Sequence, residues 1–251
     1  MTETVTVSCS VLPSLTWQAP AFNDRLEKTA HVWKASSSGL AAEQFLPLLQ
    51  PEEKKKTLQF SRPEAREQFV FARGVLRILL SRYLSLHPQQ LFFSKGTNGK
   101  PYCTTPAAQS IGFNLSHSGD KLLVAICGSE TGVDLEKIKP SFRFDDIAAT
   151  VFSPEESSFI ENADDPHLAF YQLWTRKEAL LKATSIGLID ALTEVSCLPG
   201  ANKVAAATIN SYNNWQVQSF PVDENSIGSV ATSPGIAVEF FDYDLLHAPI
   251  L

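Results

Sequence analysis

One stretch of the chain, Phe170 to Lys182, constrains the fold most because it has the pattern of an amphipathic helix. Apolar side chains recur in it at helical intervals, and good helix formers fill most of the other positions. Glu178 and Lys182 stand four residues apart, so the acid and the base lie one turn apart on the same side of the helix. A solvated salt bridge is the ordinary explanation of such a pair. The pair alone therefore predicts no functional site.

A short strand is predicted upstream, at Gly132 to Glu136, where apolar and acidic residues alternate. The period of two places Asp134 and Glu136 on one face. Two carboxylates that lie so close repel each other unless something positive lies between them. A hard cation with oxygen ligands fits this pattern, with Glu178 as a candidate third ligand. An exposed polar strand face is the alternative for a lone motif of this kind.

A third stretch, FNLSHSGD at residues 113–120, predicts a strand followed by a tight polar turn that carries Ser116 and His117. A return strand is predicted at Leu122 to Cys127. Loops at strand ends commonly present ligand-binding groups, and an imidazolium with a neighbouring hydroxyl is suited to a phosphate oxygen. A turn-forming serine and a surface histidine are the alternative.

Charge is distributed unevenly along the chain. Between Glu52 and Arg82 there are eight basic and four acidic residues, in a protein whose formal net charge is −6. A local positive region in an acidic protein favours an anionic ligand held at one place over general nucleic-acid binding. A solvated helix face is the alternative for Lys54 and Lys55.

Length and composition exclude several classes of protein. With 251 residues and 44% hydrophobic content, the chain is long and apolar enough for one large or two small folded domains. The four cysteines form no C-x-x-C pair, which argues against a zinc site or a disulfide framework. The first twenty residues lack the pattern of a signal peptide, and no apolar run has the length of a membrane span. We therefore expect a cytoplasmic protein.

Local patterns predict further elements. A strand is expected at Thr29 to Lys34, a short helix at Gly39 to Leu49, and helix from Pro51 to Leu86 with a break at Pro63. Ser153 to Glu156 is typical of a helix start, and Gly187 of a helix end. Later strands are expected at four segments: Thr193 to Cys197, Val204 to Ile209, Trp215 to Phe220 and Ile236 to Phe241.

Taken in order, FNLSHS, GVDLEKIKP and FYQLWTRKEALLKATSIGL resemble the signature motifs of the 4′-phosphopantetheinyl transferases, of the longer type that acts on carrier proteins. Gly99-Lys100-Pro101 is similar to a short motif that precedes them in this family. The resemblance extends from Pro51 to Leu188. The combination of motifs, in family order and spacing, is far more specific than any single one.

The resemblance implies an α+β fold of two similar α/β halves related by a pseudo-twofold, with coenzyme A in the cleft between them. The halves would be residues 1–130 and 131–251. The implied reaction transfers 4′-phosphopantetheine from coenzyme A to a serine of an apo acyl or peptidyl carrier protein, in fatty acid, polyketide or nonribosomal peptide synthesis, and releases 3′,5′-ADP. The implied protein is a monomer with no nucleic-acid or membrane partner.

The resemblance also implies roles for particular residues. Mg²⁺, or Mn²⁺ in its place, would be held by Asp134, Glu136 and Glu178. Glu178 would in addition deprotonate the carrier serine, and Lys182 would pair with the diphosphate. The remaining coenzyme A contacts would come from Lys56, Arg62, Arg66, Lys100, Ser116 and His117. Glu53 stands where some members carry a lysine, which argues against a phosphate contact there.

Other classes of function remain alternatives. A metal-dependent phosphohydrolase acting on coenzyme A or nucleotides could use the same three carboxylates without a protein acceptor. A non-enzymatic module that binds a carrier protein or a nucleotide would not need Glu178.

Overall fold

The computed structural model describes residues 3–20, 22, 26–187 and 189–244, and in them α-helices pack on mixed β-sheets. The strands are β1 (Thr4–Val11), β2 (Thr29–Ser36), β3 (Phe93–Lys95), β4 (Pro101–Cys103), β5 (Gly112–Ser118), β6 (Lys121–Cys127), β7 (Gly132–Lys137), β8 (Gly200–Ala205), β9 (Trp215–Asp223), β10 (Ser226–Thr232) and β11 (Ala237–Asp242). The α-helices are α1 (Pro51–Thr57), α2 (Pro63–Leu84), α3 (Asp145–Val151), α4 (Pro154–Glu161) and α5 (Pro166–Thr184). Short 3₁₀ helices lie at Ala42–Leu48, Pro88–Gln90, Pro106–Ala108 and Leu192–Glu194.

The strands form two main sheets that exchange their terminal strands. One sheet has the order β7-β10-β9-β1-β8, the other β11-β2-β6-β5, and β3 pairs with β4 separately. The first strand, β1, thus lies among strands from the end of the chain, antiparallel to β8 and parallel to β9. The last strand, β11, lies parallel to β2. This exchange ties the two ends of the described chain into opposite sheets.

The sheets and the long helices stack in four layers, helix–sheet–sheet–helix. Apolar residues of α2 pack on one face of the four-stranded sheet, through residues such as Trp33 and Val124. The other face, with Leu123 and Ala125, packs on Val133 and neighbouring residues of the five-stranded sheet. The far face of that sheet packs on α5. Strand β6 is buried on both faces, which explains why its sequence, LLVAIC, is continuously apolar.

The ends of α5 are fixed by local chemistry. The Asp165 carboxylate accepts from the Leu168 N–H at 3.0 Å, and Pro166 occupies the first helical position. The helix ends at Thr184 because Ser185 adopts a left-handed conformation with φ 60°. The predicted end at Gly187 is therefore a few residues late, and Leu188, the last residue of the resemblance, lies outside the described residues.

The helices follow the predicted pattern more closely than the strands do. The break before Pro63 and the helix start at Ser153 are confirmed. Two strand predictions and one turn prediction differ from the structure. Thr193 to Cys197 includes a 3₁₀ helix instead of a strand, and β8 lies earlier in the chain than the predicted segment Val204 to Ile209. Strands β1, β3, β4 and β10 were not predicted. Ser116 and His117 belong to β5, and the turn that follows lies at Gly119 and Asp120.

None of the described helices is both long and apolar enough to cross a membrane.

Candidate active site

The candidate site lies where β5, at the edge of one sheet, meets β7, at the edge of the other. Side chains of β5 join the strands: the Asn114 Oδ1 accepts from the Val133 N–H at 2.9 Å, and the Ser116 hydroxyl donates to Asp134 Oδ1 at 2.8 Å. Helix α5 packs against β7. Strands β5 and β7 and helix α5 thus bring the three predicted motifs together.

Asp134 is the central charged group of this junction. Lys182 Nζ lies 2.6 Å from Asp134 Oδ1 and 3.1 Å from Ser116 Oγ. The aspartate side chain is 5% exposed and the lysine 29%. The second aspartate oxygen, Oδ2, is buried without a hydrogen-bond partner. A buried carboxylate oxygen in this condition is costly unless a donor or a cation satisfies it.

The other two predicted carboxylates lie near enough to interact with Asp134. Burial raises the pKa of Glu178, and the negative charge of Asp134 raises it further, while Lys182 opposes the change. Burial and Asp134 likewise raise the pKa of Glu136, against a hydrogen bond from Ser118. Both carboxyl groups therefore hold protons more tightly than ordinary glutamates do, and a nearby positive charge would reverse this effect.

Glu178 and Lys182 face a cavity of about 280 Å³. Its wall also includes Lys100 and Asn114. The Lys100 ammonium donates to the carbonyl oxygens of Thr131 and Ala183 at 3.1 and 3.2 Å and pairs with Glu130 at 2.9 Å. Lys100 therefore caps the end of α5 and joins it to the start of β7.

A second cavity, of about 430 Å³, is also lined by Asn114, together with cationic and aromatic residues. Lys56, Arg73 and His117 all line it. Burial and the charges of Lys95 and Arg73 lower the pKa of Lys56. Arg73 Nη1 is buried without a hydrogen-bond partner. Positive charges that lie together in one pocket are typical of an anion site.

His117 lies on the opposite face of β5 from Ser116, as the period of two requires. The residue is exposed, yet desolvation of the ring lowers the pKa of His117, and Lys182 lowers it further. The imidazole is thus mainly neutral at neutral pH in the free protein. A bound phosphate would favour its protonated form.

Two predicted basic residues lie apart from these cavities. Arg62 is exposed at the N-cap of α2, and Arg66 Nη1 lies 3.3 Å from Glu43 Oε1. Neither is among the described residues that line the cavity beside His117. Glu53 pairs with Arg77 at 2.6 Å and with Arg73 at 3.7 Å, so it neutralises arginines.

Two residues of the site were not singled out from sequence. Arg73 was counted only as part of the basic region, and the apolar pattern of α2 gave no sign that its side chain enters a cavity. Asn114 lines both cavities and was interpreted only as part of a strand. An asparagine between the apolar residues Phe113 and Leu115 of a strand is the signal that could have identified it, because an amide that becomes buried requires hydrogen-bond partners.

The structure does not show the metal site that was predicted from the carboxylates. Among the described residues, no three His, Cys, Asp or Glu side chains are arranged to hold a metal ion. The chemistry of the residues nevertheless fits a cation, because Asp134 Oδ2 lacks a partner and the carboxyl groups of Glu136 and Glu178 have raised pKa values beside it. Oxygen ligands of this kind suit Mg²⁺.

Two family models match adjoining parts of the chain. One, the 4′-phosphopantetheinyl transferase superfamily, matches residues 130–232. The other, described as 4′-phosphopantetheinyl transferase, N-terminal, matches residues 31–130. The two matches include all the site residues described above and define the class as phosphopantetheinyl-transferring enzymes.

Individual relatives agree with these models. The putative 4′-phosphopantetheinyl transferase slr0495 of Synechocystis sp. is 35% identical over 184 residues, which cover 71% of this chain and 74% of the relative. HetI of Nostoc sp. is 30% identical over 225 residues, 83% of this chain and 89% of the relative. Sfp of Bacillus subtilis is 29% identical over 184 residues, 72% and 80% respectively. The chain therefore belongs to the 4′-phosphopantetheinyl transferase family and is an enzyme of that class, which confirms the resemblance seen in the three motifs.

Proposed function

We propose that this enzyme moves the phosphopantetheine group of coenzyme A to a serine of an apo carrier protein at the junction of β5, β7 and α5. The observation that carries the proposal is the contact of Lys182 with Asp134 beside Glu178, next to a cavity lined by cations. Charge neutralisation and alignment of the nucleophile are what transfer of a phosphorus group requires of a protein.

The chain would consist of two similar halves that meet near Thr131, with coenzyme A in the cleft between them. Strand order supports this division: β2-β6-β5 in one sheet corresponds to β7-β10-β9 in the other. In each set a long helix, α2 or α5, follows the first strand, and a hairpin follows the helix. The exchanged strands β1 and β11 would then join the halves.

Coenzyme A would be bound by residues that line the two cavities beside Asn114. Lys56, Arg73 and His117 would hold phosphate groups in the cationic cavity, because the positive charges of Lys56 and Arg73 favour a bound anion, which would in turn favour the protonated form of His117. Lys100, Ser116 and Lys182 would contact the remaining polar groups. Arg62 and Arg66 would contribute long-range attraction to the anion from the start of α2.

In the proposed reaction, Glu178 takes the proton of the carrier serine hydroxyl. The serine oxygen then bonds to the β-phosphorus of coenzyme A, and the bond from that phosphorus to the bridging oxygen breaks. The bridging oxygen leaves with 3′,5′-ADP and carries negative charge, which the Lys182 ammonium stabilises. Glu178 faces the same cavity as Lys182, where a positioned carboxylate can act as a general base.

Asp134, Glu136 and Glu178 would hold a divalent cation, Mg²⁺ or Mn²⁺. When bound, this ion supplies positive charge to the diphosphate oxygens. The unpartnered Asp134 Oδ2 supports this assignment. We further propose a monomeric, cytoplasmic enzyme whose partners are carrier proteins or carrier domains of fatty acid, polyketide or peptide synthesis.

Release of 3′,5′-ADP tests the reaction class. The purified enzyme is incubated with coenzyme A and Mg²⁺, and the nucleotide product is quantified by chromatography with and without an apo carrier protein. Release only in the presence of the carrier, and none with a carrier whose acceptor serine is replaced by alanine, supports transfer. Equal release without any carrier would instead identify a phosphohydrolase.

A further inference from the structure

Strands β5 and β7 lie side by side without a backbone ladder between them. In the ladders formed by the described residues, β5 pairs with β6 and β7 pairs with β10, so each presents an edge to the other. Side chains of β5 bridge the gap. Every second residue of β5, Asn114, Ser116 and Ser118, contacts β7.

Two of these contacts have the regularity of a parallel pairing. The Val133 N–H donates to Asn114 Oδ1 at 2.9 Å, and the Lys137 N–H donates to Ser118 Oγ at 3.0 Å. In both cases donor and acceptor are 19 residues apart in sequence. Side-chain oxygens thus replace backbone carbonyls as acceptors for edge N–H groups that would otherwise lack partners. The register of β7 relative to β5 is fixed at both ends of the contact.

Ser118 makes a second contact that acts directly on a site carboxylate. Its hydroxyl donates to Glu136 Oε2 at 3.1 Å while accepting from the Lys137 backbone. A serine hydroxyl has one proton to donate, and a backbone N–H can only donate. The hydroxyl proton is therefore directed to Glu136. The Ser118 oxygen thus positions both the backbone of β7, through Lys137, and the Glu136 side chain.

We propose that Ser118 is a positioning residue for phosphopantetheine transfer, which holds the Glu136 carboxylate in place beside Asp134. The inference rests on the proposed function, in which these two carboxylates share a cation. The negative charge of Asp134 acts on Glu136, and like charges repel. Without a fixed donor, the Glu136 carboxylate would therefore turn away from Asp134. Partners of metal-ligating side chains typically contribute about 10- to 100-fold to metal affinity or activity.

The test uses three variants of the full chain. Ser118→Ala removes the hydroxyl, and Ser118→Thr keeps it. Ser36→Ala is the matched control, because Ser36 Oγ also donates to a carboxylate, Asp120 Oδ2, at 2.8 Å in the same sheet but away from β7. The measurements are Mn²⁺ affinity by electron paramagnetic resonance without substrate, and kcat and the KM for coenzyme A with a saturating apo carrier.

We expect Ser118→Ala to weaken Mn²⁺ binding by about tenfold and to lower kcat by a similar factor, with the KM for coenzyme A unchanged. Ser118→Thr should restore both quantities, and Ser36→Ala should match the wild type. The proposal is overturned if Ser118→Ala matches the wild type in both Mn²⁺ affinity and kcat. It is also overturned if Ser118→Ala and Ser36→Ala lower these two quantities equally and both variants have lowered melting temperatures.

Failure of the metal assignment would be distinguishable from failure of this inference. If the wild-type protein bound no Mn²⁺, the cation site of the proposed function would be wrong. The kinetics of the same variants would still decide the role of Ser118. A fall in kcat alone, reversed by threonine, supports positioning, and an unchanged kcat rejects it.

Discussion

Lys182 on α5 donates to Asp134 on β7 across 2.6 Å, so one ion pair joins the long helix to the edge strand at the site. The contact uses one oxygen of the aspartate and leaves the other buried without a partner. An amphipathic helix alone would place Lys182 on the surface. The edge strand gives the lysine a partner that sequence spacing does not reveal.

Replacement of Lys182 by alanine should lower kcat more than it weakens coenzyme A binding. The ammonium stabilises charge that develops on the leaving oxygen, and loss of one such group costs on the order of 10²-fold in kcat. Steady-state kinetics and calorimetric binding of coenzyme A separate the two effects. Lys203→Ala, which removes an exposed lysine that donates to Thr6, is the control. A change confined to KM would make Lys182 a binding residue only.

Glu178→Gln should stabilise the metal-free protein at neutral pH while abolishing transfer. Because the folded protein raises the pKa of Glu178 above its usual 4.5, the folded state binds the proton more tightly than the unfolded state does. The free energy of unfolding therefore falls as pH rises from the usual pKa to the raised pKa of Glu178. Glutamine does not titrate, so the variant lacks this loss. Below the usual pKa the two proteins should melt alike.

Melting curves in EDTA from pH 4 to 8 check this expectation, and each kcal/mol corresponds to about 2–4 °C for a chain of this size. Glu161→Gln, at an exposed position on α4, is the control. A glutamine variant that is less stable than the wild type at neutral pH would contradict the proposed carboxylate repulsion.

His117→Ala should weaken coenzyme A binding and remove its proton linkage. The pKa of His117 is lowered in the free protein, and a bound phosphate would raise it. Binding would therefore take up a proton, and affinity should rise as pH falls from 8 to 6 in the wild type relative to the variant. Titration calorimetry in two buffers of different ionisation enthalpy measures the uptake. Equal affinity and uptake in both proteins would assign His117 to a surface role.

Arg73→Ala should weaken coenzyme A binding more than Arg62→Ala does. Arg73 lines the cationic cavity with an unpartnered Nη1, whereas Arg62 is exposed. A hydrogen bond to a charged group contributes about 1.5–3 kcal/mol, which corresponds to a loss of roughly 10- to 100-fold in affinity. The fold should persist because Glu53 keeps its ion pair with Arg77. The opposite ranking of the two arginines would move the phosphate site to the start of α2.

The sequence predicted the helices of the site well because their signals are local. The period of the apolar residues, the proline that begins α2 and the serine before α4 all act within a few residues of the helix ends that they define. Strand β1 shows the same alternation of apolar residues, but its place beside β8 and β9 depends on partners some 200 residues away in the sequence. Such exchange between chain ends has no local signal.

The sequence predicted the residues of the candidate site more completely than it predicted their arrangement. Asp134, Glu178 and Lys182 do interact, whereas the bridge from β5 to β7 through Asn114 and Ser118 was not anticipated. A strand pattern specifies which side chains share a face, but it does not specify which neighbour that face meets. Arg73 was missed for a related reason, since the direction of a long side chain near an apolar helix face depends on the cavity beside it.

The most direct test of the central claim is intact-protein mass spectrometry of an apo acyl carrier protein after incubation with this enzyme, coenzyme A and Mg²⁺. The account predicts a gain of one phosphopantetheine on the carrier, which is absent in EDTA and absent with Asp134→Ala that retains the wild-type circular dichroism spectrum. An unmodified carrier in a reaction that nevertheless consumes coenzyme A, or full modification by Asp134→Ala, would contradict it.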